Sequence, residues 1–327
     1  MSMAPRKLIR KIKGMIHLVM THFDEEERLD CKAVRTGLRH AMRALKGQDA
    51  IFLSTGSTAE FYALNEEENK ELIRIVVDEV GGSFPVIAGT GRAATRVTIE
   101  LSQFAQDAGA DGVLIVSPYY QPVTKEGLYR HFRKIAESID IGIMIYNNPV
   151  ASKLWIPPDL MNRLSKIENI IADKENTASA GAYYAMQRAV DPADMVIVAG
   201  LGHLMFSFEA LYGCSAFVTE LVNFAPDLAI DIYKAAAARD FSILTSLVDK
   251  IAPFYDFLSR CAQRRSLVPT VLSPAFPVGE LPLYQSVTKA AMSLCGLPGG
   301  RVREPMENLS DAEREELEEV LKSIGII

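Results

Sequence analysis

The chain is short of the residues that build metal centres and covalent staples. Four cysteines (Cys31, Cys214, Cys261, Cys295) and five histidines are scattered over 327 residues, and no two cysteines form a C-x-x-C pair. No zinc site, disulfide framework or cofactor is expected, and reduced thiols in a cytoplasmic enzyme are the simpler reading. Positive charge is also in deficit: the net charge is -6 and the pI about 5.5. That argues against nucleic acid or an anionic membrane as partner, while leaving room for an anionic small molecule. No apolar run approaches the roughly 18 residues needed to span a membrane. The first strand–helix turn lacks a G-x-G-x-x-G dinucleotide fingerprint. The opening "MSMAPRKLIRKIKG" has no secretory core, and reads as an amphipathic arm or an Arg/Lys-rich targeting presequence.

What the chain has in abundance is alternation. Short apolar runs at 15–20, 50–54, 85–89, 112–117, 141–147, 169–174, 195–200 and 215–219 read as strands. Between them lie segments with helical spacing, such as 65–80, where Asn65 caps three glutamates, and 95–109, stopped by Gly109. Parallel strands covered by helices follow from this order, and eight such units most economically close into a (β/α)8 TIM barrel. An open doubly wound sheet is the competing architecture. After residue 238 strand signals stop, and segments at 241–262, 283–296 and 310–325 read as helices, the last with a Ser310/Glu313 capping box. The expected organisation is an arm at 1–13, a catalytic barrel at 14–238 and a C-terminal helical region at 239–327. The Pro-rich, charge-poor stretch 267–282 reads as an ordered loop packed on the barrel.

In such a barrel the chemistry stands at the C-terminal ends of the strands. There the chain places "TGSTAE" (55–60), "SPYYQP" (117–122), "YNNP" (146–149), Lys174, "GLGH" (200–203) and "TE" (219–220). Strict alternation puts Ile170, Ala172 and Lys174 on one face of their strand, and Gly142, Met144 and Tyr146 on the inward face of the one before it. A lysine in a barrel mouth loses solvation, which favours the free amine. Such an amine condenses with a ketone to an iminium, an electron sink. A tyrosine on the adjacent strand can move the protons. Hydroxyls and backbone N–H groups around Ser57 and Thr58 can hold a carboxylate.

These residues also carry a resemblance. "STGSTAEFYAL", "GADGVLIVSPYYQPVTKEGLYRHF", "IYNNP" and "NIIADKENT" occur in the order and spacing of the dihydrodipicolinate synthase/N-acetylneuraminate lyase family of Schiff-base aldolases and dehydratases. The resemblance implies that Lys174 forms an imine with pyruvate or the pyruvate-like end of a 2-oxo acid. It further implies that Tyr146 is the acid/base, that Ser57 relays protons, and that Tyr120 completes the relay, often from a neighbouring subunit. Thr58 and the backbone near Gly56 would bind the carboxylate, with Gly200 and Thr219 contributing to the substrate site. A homo-oligomer, dimer or tetramer, is expected.

The chain also departs from that pattern. Ala151 stands where dihydrodipicolinate synthases carry the arginine for their second substrate, and Lys153 where a glycine is usual. Ala59 replaces a glycine of the G-T-T-G-E loop, "THF" (21–23) replaces T-P-F, and Asp173 replaces an apolar residue. The expectation is therefore a lyase, aldolase or dehydratase, acting on pyruvate or a 2-oxo (3-deoxy) sugar acid, with Lys153 reaching the distal end of the substrate. The alternatives are dihydrodipicolinate synthase proper and a catalytically silent ligand-binding barrel. A phosphate-handling barrel fits poorly, since "GLGH" and "TELVN" are not a phosphate loop.

Overall fold

The computed structural model describes residues 3–265 and 283–327; the expected loop at 267–282 lies outside the described residues. Eight parallel strands close into a barrel in sequence order. They are β1 (Gly14–Leu18), β2 (Ala50–Ser54), β3 (Val86–Gly89), β4 (Gly112–Val116), β5 (Gly142–Asn147), β6 (Ile170–Glu175), β7 (Val196–Ala199) and β8 (Ala216–Thr219). Side chains alternate between two buried layers, as the pleat requires. Ile16, Leu53, Leu114, Met144 and Val218 fill the lumen. Met15, Phe52, Val113, Ile145 and Phe217 pack outward against the helices.

The helices preceding and covering the barrel are α1 (Pro5–Leu8), α2 (Cys31–Ala44), α3 (Glu66–Val80), α4 (Thr95–Ala108), α5 (Lys125–Ala136), α6 (Pro149–Ser152), α7 (Pro158–Ser165), α8 (Ala180–Ala189), α9 (Gly202–Glu209) and α10 (Pro226–Ala237). Their ends follow local chemistry. Asn65 accepts from Glu68 N while the Glu68 side chain returns to Asn65 N, a complete capping box. Gly109 closes α4 at φ 98°, a left-handed geometry that favours glycine.

Two features depart from simple alternation. The β5–β6 register shifts between Ile143 and Met144, so Ile143 pairs with Ile170 and Met144 with Ala172. Ile170 therefore joins the outer layer and Ile171 the lumen, correcting the expectation that Ile170 shares a face with Lys174. Gly142 makes the room: a Cβ there would sit 2.5 Å from Ile171 Cδ1. The second feature is the arm. Leu8 and Ile12 are buried in the lumen layer, closing the bottom of the barrel beside Gly112 and Gly142. The arm is thus amphipathic and docked on the barrel, with Leu8 and Ile12 inside and Arg6, Lys7, Arg10 and Lys11 exposed.

Three further helices, α11 (Phe241–Gln263), α12 (Tyr284–Leu294) and α13 (Asp311–Ser323), follow the barrel, as expected. Ser310 and Glu313 form the second capping box. Phe254 of α11 stacks on Phe224 after β8, with ring centroids 4.9 Å apart. Lys289 of α12 reaches Glu60 in the loop after β2, and Arg303 reaches Ala63 O and Glu68. The tail thereby forms a wall at the C-terminal mouth of the barrel. No described helix is long and apolar enough to cross a membrane.

Candidate active site

Tyr146 and Lys174 are directly paired across β5 and β6. Both are buried, and Lys174 Nζ lies 3.9 Å from the centroid of the Tyr146 ring. Among the described residues no carboxylate lies within ion-pairing distance of Lys174 Nζ. The electron-rich ring face is what meets the amine.

Three groups converge on the Tyr146 hydroxyl. Asn148 Nδ2 donates to it at 2.8 Å, and Ser57 and Lys174 approach the same oxygen. Burial opposes ionisation of the phenol. The charge of Lys174 and the contacts with Ser57, Asn148 and Lys174 outweigh it, so the phenol is held below its ordinary value. A phenol eased toward ionisation beside an amine is suited to exchanging protons with a group bound between them.

The loop after β2 is fixed from several directions. Thr55 and Glu60 take positive φ (51° and 53°), while Ala59 does not, so the alanine in place of a family glycine meets no left-handed strain. Thr55 Oγ1 donates to Gly89 O at 2.9 Å, and a Cβ on Gly89 would fall 2.1 Å from Thr55 O. Thr21 Oγ1 donates to Ala59 O. His22 is buried with Nδ1 2.8 Å from Gly299 O, and burial lowers its pKa to about 4, so it is a neutral packing group. Thr58 meets the hydroxyl of Tyr284 from α12. These contacts present Ser57 and Thr58 toward Lys174.

A cavity of about 1690 Å³ opens at this end of the barrel. Of the residues expected at the site, Lys174, Tyr146, Ser57, Thr58 and Gly200 line it. Gly200 can carry no side chain, because a Cβ would lie 1.9 Å from Asn176 Oδ1. Four expected residues are not brought in. Gly56 is buried beneath the loop, where its carbonyl accepts from Phe61 N. Thr219 turns away from the cavity and accepts from Leu221 N at 3.1 Å, and its neighbours Val218 and Glu220 line the space instead. Lys153 caps α6 in a left-handed conformation and is exposed, so the wall beyond β5 is made by Asn148, Val150 and Ala151. Tyr120 is 77% exposed on the outside of its own chain, and Tyr119 is the tyrosine that faces the cavity.

The sequence reading missed Tyr255 of α11 and Tyr284 of α12 on the other wall, and gave no role to His203 of α9 and Glu220 after β8, though it placed their segments at the mouth; all four line the cavity. Their signal was a polar or aromatic residue on the barrel-facing side of otherwise apolar elements, which by pattern alone is indistinguishable from packing.

Asp173 has a different destination. It points outward from β6, fully buried, and neither carboxyl oxygen has a hydrogen-bond partner. Glu175 and Glu209 lie nearby, with Glu175 held by Asn147 Nδ2 (2.9 Å) and Thr177 N (2.8 Å). Burial pushes all three carboxyls up, aided for Asp173 and Glu209 by the charge of Glu175, and Glu209 reaches about 9. Among the described residues no metal-binding cluster is formed by His, Cys, Asp and Glu. Among the described residues Asp173 thus pairs with no cation.

The sequence profile of the Dihydrodipicolinate synthetase family matches residues 11–273. A 4-hydroxy-tetrahydrodipicolinate synthase of Methanopyrus kandleri is 31% identical over 322 residues, covering 97% of this chain and 98% of the relative. The Pseudomonas aeruginosa enzyme of that name is 31% identical over 323 residues, covering 97% and 99%. Among solved structures, a dihydrodipicolinate synthase superposes with a TM-score of 0.80 at 29% identity, covering 96% of this chain and all (100%) of the other. YagE, an E. coli prophage protein of the dihydrodipicolinic acid synthase family crystallised with pyruvate, superposes at 0.81 with 28% identity, covering 96% and 99%.

Proposed function

The chain belongs to the dihydrodipicolinate synthetase family, a family of lyases, and on that premise we propose that it forms a Schiff base between Lys174 and a 2-oxo acid. The observation that carries this reading is the buried, carboxylate-free Lys174 lying against Tyr146 at the floor of the cavity. The amine adds to the ketone carbon, water leaves, and the iminium withdraws electrons from the adjoining carbon. Tyr146 supplies and accepts the protons, with Ser57 as its relay. Thr58 and the backbone of its loop hold the carboxylate. The pyruvate complex of YagE supports a small 2-oxo acid as the common part of the substrate.

Two outcomes of that iminium are compatible with the site: carbon–carbon cleavage of a 2-oxo (3-deoxy) acid, or loss of its hydroxyl. The names of the curated relatives favour a third, condensation of pyruvate with aspartate semialdehyde. Ala151 speaks against it, since this wall residue offers no cation to a second carboxylate. A catalytically silent barrel loses its support, because Ala59 is unstrained, His22 is packed, and Ser57 still meets Tyr146. A homo-oligomer belongs to the same reading: the exposed Tyr120 would complete the relay in a neighbouring subunit. The four free cysteines suit a cytoplasmic setting. The deciding assay incubates the protein with 2-oxo-3-deoxy sugar acids, and separately with pyruvate and aspartate semialdehyde. Released pyruvate marks an aldolase and water loss a dehydratase. Consumption of the semialdehyde would restore the synthase reading, and no turnover in any arm would overturn the lyase.

A further inference from the structure

The cavity has a second polar wall, facing the imine site, that the mechanism above does not use. Glu220 follows β8, lines the same cavity as Lys174, and accepts a hydrogen bond from the Tyr255 hydroxyl on Oε1. Among the described residues no other side chain bonds its carboxylate; burial raises its pKa, against the Tyr255 hydroxyl, its own backbone N–H and the charge of Lys174. His203 packs against Tyr255 with ring centroids 4.8 Å apart and planes tilted by 42°, and its buried Nδ1 has no partner. Burial lowers the His203 pKa to about 4, leaving a neutral ring at pH 7. Farther out, Asp249 and Asp256 of α11 add two more acids to the same side.

Besides Lys174, the cations that line the cavity each face a carboxylate. Arg92 pairs with Glu66 through Nε at 3.0 Å and donates to Gly91 O through Nη1, while its Nη2 is buried without a partner, and Arg265 pairs with Glu313 at 2.6 Å. Lys174 is the reacting amine. Lys153 does not line the cavity, and residues 266–282 contain no Lys, Arg or His. Among the described residues a distal carboxylate on the substrate would thus find acids and, apart from Lys174, no cation without a carboxylate partner, whereas hydroxyl or ammonium hydrogens would find the Glu220 carboxylate and the His203 ring. We infer that Glu220, held by Tyr255, is the specificity-determining residue of this site, and that it selects 2-oxo acids whose distal end carries hydrogen-bond donors over those with a second carboxylate. This rests on the imine reading above.

The test measures, in the full-length protein, the concentration of each acid that half-saturates borohydride trapping at Lys174, relative to pyruvate. The probes are a 2-oxo-3-deoxyhexonate, the cationic 2-oxo-5-guanidinopentanoate, and the diacid 2-oxoglutarate. The parent is expected to favour at least one donor-bearing acid over the diacid. Glu220→Ala should reduce that preference about ten-fold or more, the scale of a hydrogen bond to a charged group. Glu220→Gln separates the two donor types: it should abolish a preference for the cation but only weaken one for hydroxyls, since the amide oxygen still accepts. Tyr255→Phe, which keeps the ring, should reduce the preference in the same direction and serves if the Glu220 variants fold poorly. A parent that prefers 2-oxoglutarate, or preferences unchanged within two-fold in the folded variants, would overturn the assignment of Glu220 while leaving the imine intact. Absence of trapping in the parent with every acid would instead overturn the imine reading, and this inference with it.

Discussion

Among the described residues two lysines are buried, and their surroundings are opposite. Lys289 of α12 donates to the Glu60 carboxylate and to Arg301 O, and sits 4.8 Å from the centroid of the Phe23 ring. Burial lowers its pKa and raises that of Glu60, while the pair opposes both shifts. Both of its hydrogen bonds go to fixed protein groups, so the lysine ties the tail to the loop that carries Ser57 and Thr58. Lys174 has the Tyr146 ring beside it, no carboxylate partner, and a cavity in front. Burial alone therefore does not mark a reactive lysine. What distinguishes Lys174 is an amine left without a charge partner next to a proton-transfer group and a space for substrate.

The comparison breaks most visibly at Lys174 itself. Lys174→Arg keeps a cation but cannot form the imine. Turnover should fall by roughly 10⁴-fold or more, the scale of losing a nucleophile. Thermal unfolding close to that of the parent would show that the fold survives. Tyr146→Phe comes next: it keeps the ring against Lys174 and removes the hydroxyl, and should cost about 10²–10⁴-fold in turnover. Near-parental kcat would return Tyr146 to a packing role. For Lys289 the expected effect is on stability. Lys289→Met strands the Glu60 carboxylate and should destabilise by about 3–5 kcal/mol in urea unfolding. Adding Glu60→Gln should recover part of that loss, and a double variant no better than the single would show that the ion pair is not what holds the loop.

The last effect concerns pH. The folded protein holds protons on Asp173, Glu175 and Glu209 that the unfolded chain has released, because their folded pKa values are raised. Stability should therefore fall as pH rises above the ordinary carboxyl range toward about 9, the value of folded Glu209. Each group adds at most about 1.4 kcal/mol per pH unit to that slope. Glu209→Gln should flatten it between pH 5 and 9, seen as a narrower spread of urea midpoints. An unchanged slope would mean that Glu209 is ionised in the fold.

Much of this was legible in the residues. The eight strands stand within a residue or two of where apolar runs and turn signals placed them, and the Asn65 and Ser310 caps act as read. Lys174 and Tyr146 were legible because both end apolar strands adjacent in order. The Ile170–Ile171 shift was not, since a bulge leaves no mark on alternating isoleucines beyond the small Gly142 opposite. Thr219 and Glu220 show the same limit, as one residue of register decides which of them meets the cavity. Lys153 was placed by loop position alone, and the α6 turn carries it outside. Tyr255 and Tyr284 come from helices that begin after the barrel is complete, and nothing local indicates that they fold back over its mouth.

The most direct measurement of the contrast between the two lysines is borohydride reduction in the presence of pyruvate, followed by peptide mass spectrometry. The account predicts a reduced pyruvyl adduct on the peptide carrying Lys174 and an unmodified Lys289. Label on Lys289 or Lys153, or no label on Lys174 at saturating pyruvate, would contradict it.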